Sequence, residues 1–253
     1  MIKSFLQYFF LSIFRIKFFN SVFSMIKDLN YYKKIKTEKY FLYFLVTNWI
    51  TDFRAKTFFT KEPDTLLWIK KMKSNKVFWD IGANVGIYSI YAAKVHKNIK
   101  VYSFEPSVTN LNILVKNVNK NKLCEKITII TNPVSKKTAF GNFNLNSFEE
   151  GSANSSFDAK KSSKLYYTTN SLNSKILKKI YKIQYPDYVK IDVDGNEYEI
   201  VFDLLSVFNS IESILIEVNK NKREIAKLMA KKGYFLESRG INTDNLVWRK
   251  KLT

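Results

Sequence analysis

From Lys76 onward, the apolar positions keep two rhythms in turn. Short apolar runs at Val77–Ile81, 101–104, 127–131, 188–193 and Ser213–Glu217 read as strands. Between them, apolar residues recur at helical spacing. The segments are Ile87–Val95, a stretch from Ser107 with Leu111, Leu114, Val115 and Val118 on one face, and residues 172–182. A further helix carries Tyr198, Val201, Phe202 and Leu205. Another carries Ile225, Leu228 and Met229 and stops at Gly233, a C-cap position. Residues 234–238 and 246–249 close the chain as a hairpin around Gly240. Strand and helix in alternation predict an α/β fold, a parallel sheet with right-handed crossovers and an antiparallel end. Residues 137–171 break the rhythm. Phe140, Phe143 and Leu145 alternate there, and the polar run Gly151-Ser-Ala-Asn-Ser-Ser156 follows, so a short strand pair and a mobile loop are expected.

Before Lys76 the pattern changes. Residues 1–26 are apolar, aromatic and basic, with Phe5, Phe9, Ile13 and Leu6, Phe10, Phe14 at helical spacing. The uncharged run 4–14 is shorter than the ~20 apolar residues that span a bilayer. No small-residue cleavage site follows it, which argues against a signal peptide. Two readings stand: a helix lying on an anionic membrane, or a wide apolar face packed on the rest of the chain or on a second copy. Residues 27–60 read as helical and then irregular, and Pro63 opens a helix. The expected division is an aromatic and basic helical region at 1–60 and an α/β domain at 61–253.

The chemistry concentrates after the first strand. Asp80 closes that strand, and Gly82 and Gly86 follow in a tight loop before a helix. Glycines let the backbone approach a ligand, and a helix start attracts anionic groups. The loop lacks the third glycine of a dinucleotide site. A carboxylate at Asp80 suits an ammonium better than a pyrophosphate. S-adenosylmethionine offers an ammonium and a carboxylate on its methionine end. Glu105, about 20 residues on at the end of the second strand, is placed to accept from ribose hydroxyls. The plainer readings are a tight turn for the glycines and a helix N-terminal charge for Glu105 beside Pro106.

Four acids fall at the carboxyl ends of strands, around one crevice: Asp80, Glu105, Asp192 and Glu217. Asp192 and Asp194 flank Val193 and share a face on an extended strand. Glu197 opens the following helix, where it can also complement the helix dipole. Lys190 precedes Asp192 by two and can hold its charge. Clustered carboxylates raise a pKa toward neutrality, as a base requires.

Composition narrows the classes. Cys124 is the single cysteine and His96 the single histidine, which excludes a disulfide framework and a zinc constellation. Cys124 is expected at least half-buried, and His96 solvated on the first helix. The net charge of +20 favours anionic partners, against the plain reading that a lysine- and asparagine-rich composition has drifted.

The chain resembles the FkbM family of S-adenosylmethionine-dependent methyltransferases. The resemblance rests on Asp80-Ile-Gly-Ala-Asn-Val-Gly86, Phe104-Glu-Pro106, Asn132-Pro-Val-Ser135, Lys190-Ile-Asp-Val-Asp-Gly-Asn-Glu197 and Leu215-Ile-Glu-Val218, in the family's order over roughly residues 75–220. Two positions depart from the family: Asp194, where Glu is commoner, and Asn173, where Asp often stands. The resemblance implies a class I (Rossmann-like) methyltransferase fold, a mostly parallel seven-stranded sheet of order 3-2-1-4-5-7-6 with helices on both faces. It implies S-adenosylmethionine held by Asp80, Gly82, Ala83, Asn84, Gly86, Glu105, Asn132 and Asp192, and transfer assisted by Asp192, Asp194, Glu197 and Glu217. No metal is expected. The acceptor it implies is a hydroxyl of a sugar, a glycan precursor or a related small molecule. Two alternatives remain at this point: an RNA methyltransferase, supported by the charge, and an inactive membrane-associated binding protein. The strand ending Asp-Val-Asp-Gly and the clustered acids argue against nucleic acid. The expected location is cytoplasmic, with peripheral contact to an anionic membrane.

Overall fold

The computed structural model describes Leu6, Phe9, Ser21 and residues 30–158, 164–218, 220–241 and 243–251. The chain divides into two compact units, Met1–Tyr32 and Lys33–Thr253. In the first, Leu6 and Phe9 are helical and exposed. The other positions of its expected apolar face lie outside the described residues. Among the described residues, no helix is long and apolar enough to cross a membrane.

The second unit opens with strands β1 (Tyr32–Lys36) and β2 (Phe41–Leu45), which pair as a two-stranded sheet, then helices α1 (Trp49–Lys56) and α2 (Pro63–Lys70). The alternating part runs β3 (Val77–Ile81), α3 (Ile87–Val95), β4 (Lys100–Phe104), α4 (Val108–Lys120) and β5 (Ile127–Ile130). An insertion follows: β6 (Phe140–Asn144), β7 (Ser156–Asp158) and β8 (Tyr166–Asn170), an antiparallel sheet of order β7-β6-β8. The alternation resumes with α5 (Ser174–Lys179), β9 (Tyr188–Ile191), α6 (Glu197–Val207), β10 (Ser213–Glu217), α7 (Lys222–Lys231), β11 (Tyr234–Arg239) and β12 (Asn245–Lys250).

The main sheet has seven strands in the order β11-β12-β10-β9-β3-β4-β5. Strands β10, β9, β3, β4 and β5 are parallel, and β12 runs antiparallel between β10 and β11. Counting these strands in chain order gives 3-2-1-4-5-7-6 across the sheet. This is the class I methyltransferase fold implied by the family resemblance.

The pleat of β3 explains both cores. Trp79 and Ile81 point to a core completed by Ile200, Val201 and Leu204 of α6. Phe78 points the other way, to a core with Ile90 and Ala93 of α3. Asp80 shares the Phe78 face and lies under α3.

Three stretches differ from the sequence reading. Residues 27–60, expected to be helical and then irregular, hold the β1–β2 hairpin and α1. Leu42, Phe44, Ala55 and Phe58 from this stretch cover one face of the sheet. Two asparagines one helical turn apart, Asn117 on α4 and Asn121 at its C-cap, hold β2. Asn117 Oδ1 accepts from Leu45 N at 2.7 Å, and Asn121 bonds both the N–H and the carbonyl of Tyr43. The insertion, expected as a strand pair and loop, has a third strand, β8. The helix expected at 172–182 is limited to α5, capped by Asn173, whose side chain accepts from Ile176 N at 3.0 Å. The amide at this departure from the family thus caps as a carboxylate would.

Two single residues are also corrected. His96 is buried at the end of α3, with Nε2 2.8 Å from Ile69 O, because residues 62–72 cover that helix end. Cys124 is exposed.

Candidate active site

The turn from β3 into α3 is forced by contacts that leave no room for a side chain. Gly82 has φ +86°, and a Cβ there would sit 1.9 Å from Asp192 O at the end of β9. Gly86 has φ +86°, and its Cβ would fall 2.4 Å from Leu114 Cδ1. Only glycine meets both demands, conformation and space. Asn84, between them, also adopts positive φ. Its backbone N–H donates to Glu105 Oε2 at 2.7 Å, and its side-chain amide donates to Ser152 O at 2.8 Å. The N–H groups of Gly82 and Ala83 both donate to Phe104 O at 3.0 Å, which ties the loop to the end of β4.

Glu105 stands where β4 ends. Oε1 accepts from Ser107 N at 2.8 Å and Oε2 from Asn84 N. Burial pushes its carboxyl up to about 7, against those hydrogen bonds. The carboxyl lines a cavity of about 250 Å³ at the carboxyl ends of the strands. Asn132 lines the same cavity, and its amide donates to Asn170 O at 3.1 Å.

The segment between β6 and β7 closes over this cavity, with Ser152–Ser156 and Phe143 on its wall. Side chains from α1, its N-cap and α4 strap it down. Asn48 Nδ2 donates to Glu150 O, Arg54 Nε donates to Gly151 O at 2.7 Å, and Asn110 Oδ1 accepts from Gly151 N at 2.8 Å.

The far wall carries the acids. Lys190 is buried, and its Nζ reaches Asp192 Oδ2 at 2.5 Å and lies 5.0 Å from the Tyr88 ring centre. Burial alone would lower the lysine's pKa, but Asp192, Glu62 and Asp80 around it hold it charged. Burial would likewise raise Asp192, but Lys190 and a hydrogen bond shared with Glu217 keep it below the usual carboxylate range. Glu217 takes the opposite course. The bond to Asp192, burial and the Asp192 charge lift it to about 8, so the pair holds one proton at neutral pH. Asp194 is raised to about 6 by burial and by Asp192, while the N–H groups of Asn154 and Ser155 donate to it.

The structure therefore brings Gly82, Asn84, Glu105, Asn132, Asp192, Asp194 and Glu217 to one cavity. Ala83 lines a smaller side cavity, and Gly86 caps α3 behind the loop. Asp80 and Glu197 stand apart from both cavity walls. Asp80 is buried under α3, where Oδ2 accepts from Ser89 Oγ at 2.6 Å and Oδ1 has no partner. Burial raises its pKa. Glu197 Oε1 accepts from Gly195 N at 3.0 Å and fixes the turn that presents Asp194. Its pKa is also raised by burial.

Sequence reasoning missed Arg54 and Lys61 before the alternating pattern, Asn110 on α4 and the strap at 152–156. One signal was available for the first. Arg54 is one of only five arginines in a chain whose other basic residues are lysine.

The site fits S-adenosylmethionine on its own geometry. The glycine turn exposes backbone to the cavity. Glu105 accepts from the N–H groups of Ser107 and Asn84 and from the Asn110 side chain, and keeps a remaining lone pair for a ribose hydroxyl. Asp192 is ionised and able to face an ammonium.

Residues 80–239 match the family described as Methyltransferase FkbM domain. The hexuronic acid methyltransferase AglP of Haloferax volcanii is 22% identical over 186 residues, which cover 72% of this chain and 74% of that protein. Among solved structures, the precorrin-6y C5,15-methyltransferase of Geobacter metallireducens is 14% identical, with TM-score 0.48, over 75% of this chain and 87% of that one. TrmK of M. capricolum, in complex with S-adenosyl-homocysteine, is 18% identical, with TM-score 0.46, over 74% and 67%.

Proposed function

The chain belongs to the FkbM family of S-adenosylmethionine-dependent methyltransferases, and we propose that it methylates a hydroxyl of a sugar or glycan precursor. The observation that carries this reading is Asp194. It is a cavity carboxylate raised to about 6, fixed by two strap N–H groups and backed by an ionised Asp192. A carboxylate acceptor needs no base, whereas a hydroxyl must lose a proton as it attacks, and a base near neutral pKa serves that step. The relative that acts on a hexuronic acid supports a sugar acceptor, since a uronic acid carries hydroxyls beside its carboxylate.

S-adenosylmethionine supplies a methyl already activated on a sulfonium. Glu105 would hold the ribose, and Asp192 the ammonium. The turn at Gly82–Gly86 supplies backbone, and the strap at 151–156 excludes water, so that alignment contributes its share of the barrier. Asp194 takes the hydroxyl proton as the acceptor oxygen bonds to the methyl carbon and the carbon–sulfur bond breaks. Glu217, protonated, donates to Asp192 and spares the cavity a further negative charge. Residues 1–26 are proposed to hold the enzyme on an anionic membrane surface, where lipid-linked glycan precursors would meet it.

Incubation with methyl-labelled donor and separated glycan, lipid, RNA and small-molecule fractions tests the reading. Label is expected in the glycan or glycolipid fraction, and label confined to RNA would refute it.

A further inference from the structure

A side cavity of about 30 Å³ opens beside the main one, and Arg54, Lys61, Gly82, Asn84 and Asp192 line both. Its other walls include Ile87 and Tyr88, the first residues of α3. We propose that Arg54 receives the carboxylate of the donor's methionine end in this side cavity.

The half-buried Arg54 is fixed but not neutralised. Nε donates to Gly151 O at 2.7 Å, which locks the side chain; its charge is felt by Glu105, but among the described residues no carboxylate makes an ion pair with it. Several partly or fully buried cations of this unit pair with an acid, as Lys33 with Asp52, Lys76 with Asp187 and Lys190 with Asp192, while the half-buried Lys126 is held by the carbonyls of Ala93 and His96. A half-buried guanidinium with no acid in ion-pair contact is poised for an anionic ligand, and its planar fork matches a carboxylate. Lys61 shares the wall, but its Nζ already serves Glu62 at 3.0 Å. The start of α3 adds its own preference for negative charge.

Glu62 and Lys190 also line the side cavity, but Glu62 is paired with Lys61 and Lys190 with Asp192. Asp192 lines it too, ionised beside Lys190. A group carrying an ammonium and a carboxylate close together meets an acid on one wall and a base on the other, and the methionine end of the donor is such a group. Arg54 lies on α1, outside the matched residues 80–239. The donor site is therefore incomplete without the helix that precedes the sheet. This inference does not depend on the acceptor, so it can fail while the sugar reading stands, and the reverse.

Calorimetric titration of the full chain with three ligands tests it. S-adenosylhomocysteine keeps both charged groups, decarboxylated S-adenosylhomocysteine keeps the ammonium alone, and 5′-methylthioadenosine keeps neither. Arg54→Gln is expected to weaken S-adenosylhomocysteine binding about ten- to a hundred-fold, the worth of a charge-assisted bond. Binding of the other two should change by less than about three-fold, since removing the arginine and removing the carboxylate break the same contact. Arg54→Lys should recover part of the loss. An equal loss for all three ligands would make Arg54 a strap tether only and overturn the proposal, as would no loss. One comparison needs no variant. Wild-type protein that binds decarboxylated S-adenosylhomocysteine as tightly as S-adenosylhomocysteine has no carboxylate site, and the proposal fails.

Discussion

Asp194 and Glu217 occupy one wall of the cavity and are tuned to different ends. With Asp194 raised to about 6, the base is ionised above that pH and lost as pH falls through it. With Glu217 raised to about 8, its proton is lost as pH rises through that value, which puts a second charge beside Asp192. Turnover should therefore follow a bell with limbs near 6 and 8. Asp194→Asn should lower kcat by about 10²–10⁴-fold, with S-adenosylhomocysteine affinity within about two-fold. A variant that loses affinity and turnover together would make Asp194 a donor ligand instead. Glu105 gives an independent handle. Its carboxyl is raised to about 7, and it accepts from ribose only when ionised. S-adenosylhomocysteine affinity should strengthen as pH rises through 7, and Glu105→Gln should flatten that dependence in the same titration series. Glu105, Asp192 and Glu217 were legible in the sequence because each falls at the end of a strand, and Asp194 because it follows Asp192 in the same Asp-Val-Asp-Gly run. Their protonation was not, because it depends on Lys190 and on a bond between residues 25 apart in sequence, Asp192 and Glu217.

At the scale of elements, the junction of β3, α3 and β9 decides whether a site exists. Gly82→Ala would force a Cβ to 1.9 Å from Asp192 O at a positive φ. It should cost about 1–3 kcal/mol of stability, read by denaturant unfolding, and also weaken donor binding. A fully stable Gly82→Ala variant with unchanged affinity would contradict the close approach. The strand–helix alternation after Lys76 was readable because each element buries a face with its own period. The β1–β2 hairpin was not. No glycine or asparagine turn marks it, and β2 is held by Asn117 and Asn121, side chains more than seventy positions away. His96 was misread for a similar reason, since only the packing of residues 62–72 buries it.

For the whole molecule, the division at Tyr32 and Lys33 separates the membrane proposal from the catalytic one. Removing residues 1–26 should leave a chain that binds S-adenosylhomocysteine as before and no longer floats with anionic vesicles at low salt. Full-length protein that ignores such vesicles, or a truncated chain that does not fold, would assign the segment a packing role. The residues before the matched domain are part of the enzyme in another sense as well. Leu42, Phe44 and Phe58 cover the sheet, and Arg54 and Lys61 line the cavity. This contribution was hidden from the sequence because the segment carries no period of its own.

The most direct measurement is the chemical linkage of the transferred methyl. Purified enzyme, methyl-labelled S-adenosylmethionine and an acidic glycan acceptor are incubated together, and the product is treated with mild base. A methyl ether keeps its label, with one S-adenosylhomocysteine formed per methyl, and this is the result that a base at Asp194 predicts. Label released as methanol would show an ester on a carboxylate, where no base is needed, and would contradict the account.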